Sequence, residues 1–527
     1  MGIYYNPGNE SFAQAKRSQI YIDKSRLLNI LNKRLSTENK CIAVSHARRF
    51  GKSHAAGMID AYYSCGCNSA DLFEDTLITE CEDYIKYLNK YNVIHLDISS
   101  VWDFHKKDLT DFVHDIICED LKKVFGGEID CTKELYLLFH DIYTRTGKQF
   151  VIIVDEWDCV IRNSDDSEVV HEYLQFLHSI FKSEESKAFL ALAYITGILP
   201  IKKVKDESAL NNFSEYTMLR SNPITEYFGF TETEVEGLCE RFDMDMEATK
   251  AWYDGYLIDG KHMYNPNSVV QSMLNRDYDS YWKNTSSYSS INTFINMNFD
   301  GLKSDILAML SGEKIYVDTE MFQNDLSMVG SKDEALTALI HLGYLAYDRE
   351  DGSSYIPNYE VKKAFQAALN TGNWGEISKV ISRCDELLRA TWAKDSDKVA
   401  EIIEQAHDTY TSILKYNDEN SLSCVLTMAY FTAPAYYNLV REMPAGKGFA
   451  DFVFIPRANA GTRPAMIVEL KYNKDAEGAI RQIREKRYKG ALEGYSGRIL
   501  LVGINYNSKE KERKHHTCVI EELNQDK

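Results

Sequence analysis

Short apolar runs separated by polar stretches mark the first part of the chain. Residues 41–44, 92–98, 150–154 and 189–195 read as buried strands, and helical periodicity fills the intervals between them. Strands alternating with helices predict a parallel sheet covered on both faces. After about residue 230 the strand signal fades, and helical segments dominate to about residue 418. Within that stretch, residues 333–347 predict an amphipathic helix running into Leu345-Ala346-Tyr347. A turn at Asp351-Gly352-Ser353 and a short strand at Tyr355-Ile356 follow. Helix, strand, turn, strand is the order of a winged helix, which can touch DNA or serve as a lid or packing domain; the low basic content here favours packing. From residue 419 the texture changes again, with a helix over 419–431, strands near 437–443, 449–455, 465–471 and 498–504, and a helix over 476–488. This predicts a separate compact α/β module. The chain is therefore read as α/β in three parts: 1–230, 231–410 and 411–527.

Composition narrows the setting. A chain of 527 residues with 44% hydrophobic content exceeds what one core accommodates, in keeping with several domains. The amino-terminal decapeptide is polar, with no apolar segment behind a positive patch, and no apolar run is long enough to span a bilayer, so a soluble cytoplasmic protein without membrane contact is expected. Eleven cysteines lie scattered, Cys65-Gly66-Cys67 being the closest pair, which points to a reducing compartment and away from a zinc site. The net charge of −19 excludes a protein that merely coats nucleic acid. It leaves room for local contacts, because basic residues gather at 481–489 and 509–514, although such runs are commonly solvated helix faces.

The candidate chemistry begins at Arg48-Arg49-Phe50-Gly51-Lys52-Ser53, between the first strand and a helix starting near Lys52. A P-loop needs backbone N–H groups and a helix N-terminus facing phosphate, a lysine reaching the outer phosphates, and a hydroxyl for magnesium. Gly51, Lys52 and Ser53 supply the end of that pattern, while His46 stands where its first glycine would fall. The apolar strand 150–154 runs into Asp155-Glu156, as in a Walker B segment whose aspartate serves magnesium and whose glutamate orients the attacking water. The acids could instead cap the strand. Thr196, on a neighbouring strand end, could sense the γ-phosphate or simply satisfy backbone; Arg48 and Arg49 could brace phosphates or be surface charges.

These residues carry a resemblance. Ala47-Arg48-Arg49-Phe50-Gly51-Lys52-Ser53 resembles the phosphate loop of the AAA-ATPase-like family, and Tyr21-Ile22-Asp23-Lys24 and Asp155-Glu156-Trp157-Asp158 resemble two further motifs of it. So do Ile195-Thr196-Gly197-Ile198, Leu210-Asn211-Asn212, Phe228-Gly229-Phe230-Thr231, Trp252-Tyr253-Asp254-Gly255-Tyr256 and Tyr264-Asn265-Pro266. His46 and Ala47 depart from the family's Arg-Pro. The resemblance implies a P-loop NTPase domain over 1–230 that binds ATP with Mg2+ through Arg49, Phe50, Gly51, Lys52, Ser53, Asp155 and Thr196, with Ser53 and Asp155 on the metal and Glu156 catalytic.

A second constellation lies near the end. In Ile467-Val468-Glu469-Leu470-Lys471, alternation puts Glu469 and Lys471 on one face of a strand, and the neighbouring strand can bring Asp451 beside them. Two carboxylates and a lysine on one sheet face suit magnesium-dependent phosphodiester hydrolysis. A surface salt bridge between Glu469 and Lys471 is the plainer alternative, but Asp451 follows a glycine turn and a helix with Gln482 and Tyr488 comes next. That order resembles the PD-(D/E)XK nuclease domain, a restriction-endonuclease-like fold. The resemblance implies Asp451 and Glu469 as metal ligands, Lys471 as the catalytic cation, and Glu419, Glu442, Gln482 and Tyr488 as further motif positions; Glu419 and Glu442 also read as surface acids.

The expected function is therefore an ATP-binding protein, an ATPase, that controls a magnesium-dependent nuclease domain acting on DNA or RNA, in a bacterial cytoplasm. A nucleotide-dependent switch or scaffold that binds protein or nucleic acid without cutting is the alternative, and homo-oligomerisation is left open.

Overall fold

A computed structural model describes residues 2–126, 129–201, 210–284, 287–297, 299–322, 329–369, 374, 379, 383–414, 419–433, 436–445, 448–457, 461–485, 495, 497–510 and 515–523. The chain divides into two compact units. The first comprises Met1–Met246, Tyr253–Asp277 and Tyr316–Pro357; the second comprises Glu247–Trp252, Tyr278–Ile315 and Asn358–Lys527. The stretch read from sequence as one middle region is thus shared between them. No helix among the described residues is long and apolar enough to cross a membrane.

The first unit is built on a five-stranded sheet of β1 (Cys41–Ser45), β2 (Asn92–Asp97), β3 (Phe150–Asp155), β4 (Leu190–Gly197) and β5 (Ser214–Thr217). Its order is β2-β3-β4-β1-β5, with every neighbouring pair parallel. A parallel sheet has helices on both faces, so its strands are buried on both sides and read as continuous apolar runs. Side chains alternate accordingly: Phe150, Ile152 and Val154 enter one core, while Val151 and Ile153 enter the other beside the helix Lys52–Tyr63. Four of the five strands are legible as such runs. Ser214–Thr217 is not, because Ser-Glu-Tyr-Thr carries no apolar run and only its pairing with β1 makes it a strand.

Beyond residue 230 the first unit also holds a three-stranded sheet, β6 (Phe230–Thr231), β7 (Tyr256–Ile258) and β8 (Lys261–Tyr264), in the order β6-β8-β7. The fading strand signal concealed it, since these strands are two to four residues long. In the winged-helix-like segment the helix is Lys332–His341, and the strands Ala346–Asp348 and Ser353–Tyr355 pair antiparallel. The helix ends at His341, with Leu342 as its C-cap and Gly343 in the left-handed region next, before the strand begins at Ala346.

The second unit carries a five-stranded sheet whose strands follow sequence order: Tyr437–Ala445, Gly448–Pro456, Ala465–Tyr472, Ile499–Tyr506 and His516–Glu522. The third and fourth are parallel and the other pairs antiparallel. The last strand carries no expectation from sequence, because its burial is only partial and no alternation marks it. On one face Val453, Ala465, Ile467, Ile499 and Leu501 pack with Ile480 and Ile483 of the helix Ala476–Glu485.

Candidate functional site

The phosphate loop forms where β1 ends. Residues 46–51 lead from the buried strand into the helix Lys52–Tyr63, whose N-cap is Gly51 at φ 90°. A β-carbon on Gly51 would meet no atom within 4 Å, so there is open space beside the N-cap, and the left-handed φ suits glycine. Lys52 is buried and its ammonium donates to the carbonyls of His46 (2.8 Å) and Ala47 (2.9 Å). Burial pushes this ammonium below the ordinary lysine range, with Glu156, Asp155 and Asp158 pulling it back up. Ser53 is exposed on the first turn, and Arg49 takes a left-handed backbone, φ 68°. Phe50 turns its ring inward, fully buried and edge-on to Tyr256, so only its backbone can face a ligand.

The acids stand at the ends of the neighbouring strands. Apolar rows on the helix-facing side finish in Asp155 on β3 and Thr196 on β4, and the Thr196 hydroxyl donates to Asp155 Oδ1. Glu156 follows at φ 53°, and its N–H donates to the same Asp155 oxygen at 3.1 Å. Thr196 is fully buried, with Asp155 as the partner of its hydroxyl. His46, at the first-glycine position, is buried with Nε2 2.8 Å from Ser221 Oγ; burial, and next the charge of Lys52, lower it to about 3, which leaves it neutral.

In the second unit, the antiparallel register runs to Phe452↔Val468, and Asp451 and Glu469 are the next residues on the two strands. The apolar row Ala465-Ile467 ends in buried Glu469 and then Lys471, beside the helix that carries Gln482. Lys471 Nζ lies 3.1 Å from Glu469 Oε1, Gln482 Nε2 donates to that oxygen, and Asp451 Oδ2 accepts the N–H of Leu470 at 2.6 Å. Four of the residues named from sequence therefore converge: Asp451, Glu469, Lys471 and Gln482. Glu442 stands between Arg441 and Met443, which pair with Phe452 and Ala450, and Glu419 heads the helix Glu419–Ala429. The side chains of both lie outside the described residues, as does Tyr488 altogether. Among the described residues no cluster of three or more His, Cys, Asp or Glu could hold a metal. Asp451 and Glu469 form a pair of hard oxygen donors, which fits magnesium, an ion that keeps waters and takes its other ligands from phosphate.

Comparison with known families follows the same division. Residues 7–205 match the family described as Predicted AAA-ATPase, and residues 417–516 match the PD-(D/E)XK nuclease superfamily. The chain thus carries one region similar to AAA-ATPase-like proteins and another similar to PD-(D/E)XK nucleases. A curated relative, an uncharacterized protein in the vnfD 5' region of Azotobacter chroococcum mcd 1, is 29% identical over 154 residues. That match covers 28% of this chain and 29% of the relative, so the chain spans under a third of that relative's length. Among solved structures, Cdc6p from Pyrobaculum aerophilum aligns at 11% identity and TM-score 0.30, over 82% of this chain and 92% of that one. The ORC2 protein of Aeropyrum pernix aligns at 10% and 0.23, over 69% and 94%.

Several residues of the segments that carry the resemblance pack against the phosphate loop or brace its unit. Gly229 N–H donates to Phe50 O at 3.0 Å, the Phe228 ring lies 5.4 Å from His46, and Asn265 Nδ2 reaches Arg48 O at 3.4 Å. Lys24 places its ammonium 2.7 Å from both oxygens of Glu234, which with Thr231 forms the capping box of the helix Glu232–Phe242. Sequence reasoning left Arg162 unmarked. Its Nη2 lies 2.7 Å from Glu156 Oε2 and its Nε 2.9 Å from Asp158 Oδ2. The available signal was Asp158 and Arg162 four residues apart, on a helix opening directly after the paired acids.

Proposed function

We propose that the AAA-ATPase-like region binds and hydrolyses ATP, and that its nucleotide state governs magnesium-dependent cleavage of nucleic acid by the nuclease-superfamily region. The observation that carries this reading is the convergence of Asp451, Glu469, Lys471 and Gln482 on one sheet face, in a chain that also sets Lys52 before Asp155 and Glu156. At the first site Lys52 and the loop amides grip the outer phosphates, Ser53 and Asp155 serve the magnesium that accompanies ATP, Thr196 steadies Asp155, and Glu156 orients the attacking water. At the second, Asp451 and Glu469 would hold magnesium, which supplies Lewis-acid polarisation of a phosphodiester. Lys471 contributes positive charge where the scissile phosphate develops negative charge, and Gln482 keeps Glu469 in place.

The test is cleavage of a panel of single- and double-stranded DNA and RNA with magnesium, with and without ATP, comparing the wild type with Lys52→Ala and Lys471→Ala. Cutting that disappears in Lys471→Ala supports the nuclease assignment, and cutting that persists there sinks it. ATP turnover that survives Lys52→Ala sinks the ATPase assignment.

A second reading, a nucleotide-dependent switch or scaffold that binds without cutting, is favoured by two features. His46 replaces the first glycine, and Lys52 turns its ammonium onto the loop's own carbonyls, an arrangement suited to slow turnover. Calorimetry with ATP, ADP and magnesium beside the cleavage assay separates the two.

A further inference from the structure

Glu156 is held firmly in a partly buried turn. Its backbone sits in the left-handed region at φ 53°, a conformation that a non-glycine residue keeps only where its surroundings impose it. Its carboxylate meets Arg162 Nη2 at 2.7 Å, and that guanidinium is almost wholly buried, its side chain 7% exposed. Arg162 is itself anchored by Asp158, through Nε at 2.9 Å and Nη2 at 3.4 Å. Asp158 is fully buried and takes the N–H groups of Ile198 (3.0 Å) and Leu199 (2.8 Å) on one oxygen. These N–H groups directly follow β4, the strand that carries Thr196. Gly197 between them is a steric necessity, since a β-carbon there would strike Asp158 Oδ1 and the Trp157 ring at 2.8 Å. A continuous rigid path thus runs from the end of β4 through Asp158 and Arg162 to Glu156.

We propose that Arg162 is the positioning residue of the ATPase site, fixing the Glu156 carboxylate in the orientation that presents the attacking water. This deepens the proposed function and rests on it. A lysine could not reproduce the arrangement, because the two-carboxylate grip uses two edges of one planar guanidinium. Burial opposes the charge of Arg162, but Asp158 and Glu156 outweigh it and raise the group above its ordinary range, so the clamp stays cationic throughout the working pH range. The general base contributes only in the right orientation, so the cost of losing the clamp falls on turnover and not on nucleotide affinity.

The experiment measures, in the full-length chain, steady-state ATP hydrolysis and equilibrium binding of a fluorescent ATP analogue for Arg162→Gln, Arg162→Lys, Glu156→Gln and the double variant Glu156→Gln/Arg162→Gln. The expected result is a fall in kcat of about 10- to 100-fold in Arg162→Gln, with analogue affinity within about twofold of the wild type. Arg162→Lys recovers part of the loss, and Arg162→Gln has no further effect once Glu156 is glutamine. An equal proportional loss in the Glu156→Gln background would show a merely structural role and overturn the proposal, as would undiminished kcat in Arg162→Gln. If Arg162→Gln does not fold, Arg162→Lys decides: reduced turnover with binding retained supports the clamp, and full turnover overturns it. A wild type that binds the analogue yet never hydrolyses ATP overturns the hydrolytic reading and this proposal together.

Discussion

The two candidate sites use one local device in different settings. In each, an apolar row along a buried strand ends in an acid: Val151 and Ile153 lead to Asp155, and Ala465 and Ile467 lead to Glu469. The settings differ in reach. The phosphate loop is held by residues from distant parts of its unit, with Gly229, Tyr256 and Asn265 around it and Lys24 securing Glu234 behind. Asp451, Glu469, Lys471 and Gln482 lie within a span of 32 residues, on two adjacent strands and the helix that follows. A site of the first kind depends on the tertiary assembly of its whole unit. One of the second kind depends on the register of a single strand pair, and a slip by one residue would send every side chain to the other face.

The sharpest break of this comparison is functional. Lys52→Ala removes the only lysine of the phosphate loop and should cut ATP turnover about 1,000-fold, whereas Lys471→Ala should cut nucleic-acid cleavage about 100-fold or more, each read in its own assay. Next comes the remote brace. Lys24→Met leaves Glu234 without its cationic partner in a half-buried setting and should cost about 3 kcal/mol of stability. Thermal unfolding should place that loss in the transition that ATP analogues stabilise, and an unchanged transition would show the brace to be dispensable.

Gly229→Ala is the smaller test of the same scaffold. At φ 98°, with Tyr264 O and the Phe50 ring 3.1–3.2 Å from the new methyl group, it should cost about 1–3 kcal/mol. It should also weaken nucleotide affinity, because Phe50 lies inside the loop. The last prediction concerns pH and belongs to the second unit. Although burial opposes it, His516 and the N–H groups of His515 and His516 hold the Glu404 carboxyl down at about 2. A depressed carboxylate stabilises fully above the ordinary glutamate value of 4.5 and loses that contribution as pH falls towards 2. Acid unfolding of the wild type should therefore be steeper over that window than that of Glu404→Gln, and identical profiles would refute the assignment.

The sequence by itself determined the elements whose signal is local. Four of the five strands in the first sheet announce themselves as apolar runs, Gly51-Lys52-Ser53 and Asp155-Glu156 sit where such runs end, and strand alternation alone puts Glu469 and Lys471 on one face. Only the tertiary structure decided the rest. Ser214–Thr217 becomes a strand by pairing with β1, and the strands at 230–231, 256–258 and 261–264 are too short to show a period. The partnership of Lys24 with Glu234 spans 210 residues, and no periodicity links positions so far apart. Arg162 was in plain view six residues after Glu156, yet a surface arginine and a buried clamp look alike along the chain. What separates them is Asp158, whose burial and two backbone donors at the end of β4 exist only once the sheet has formed.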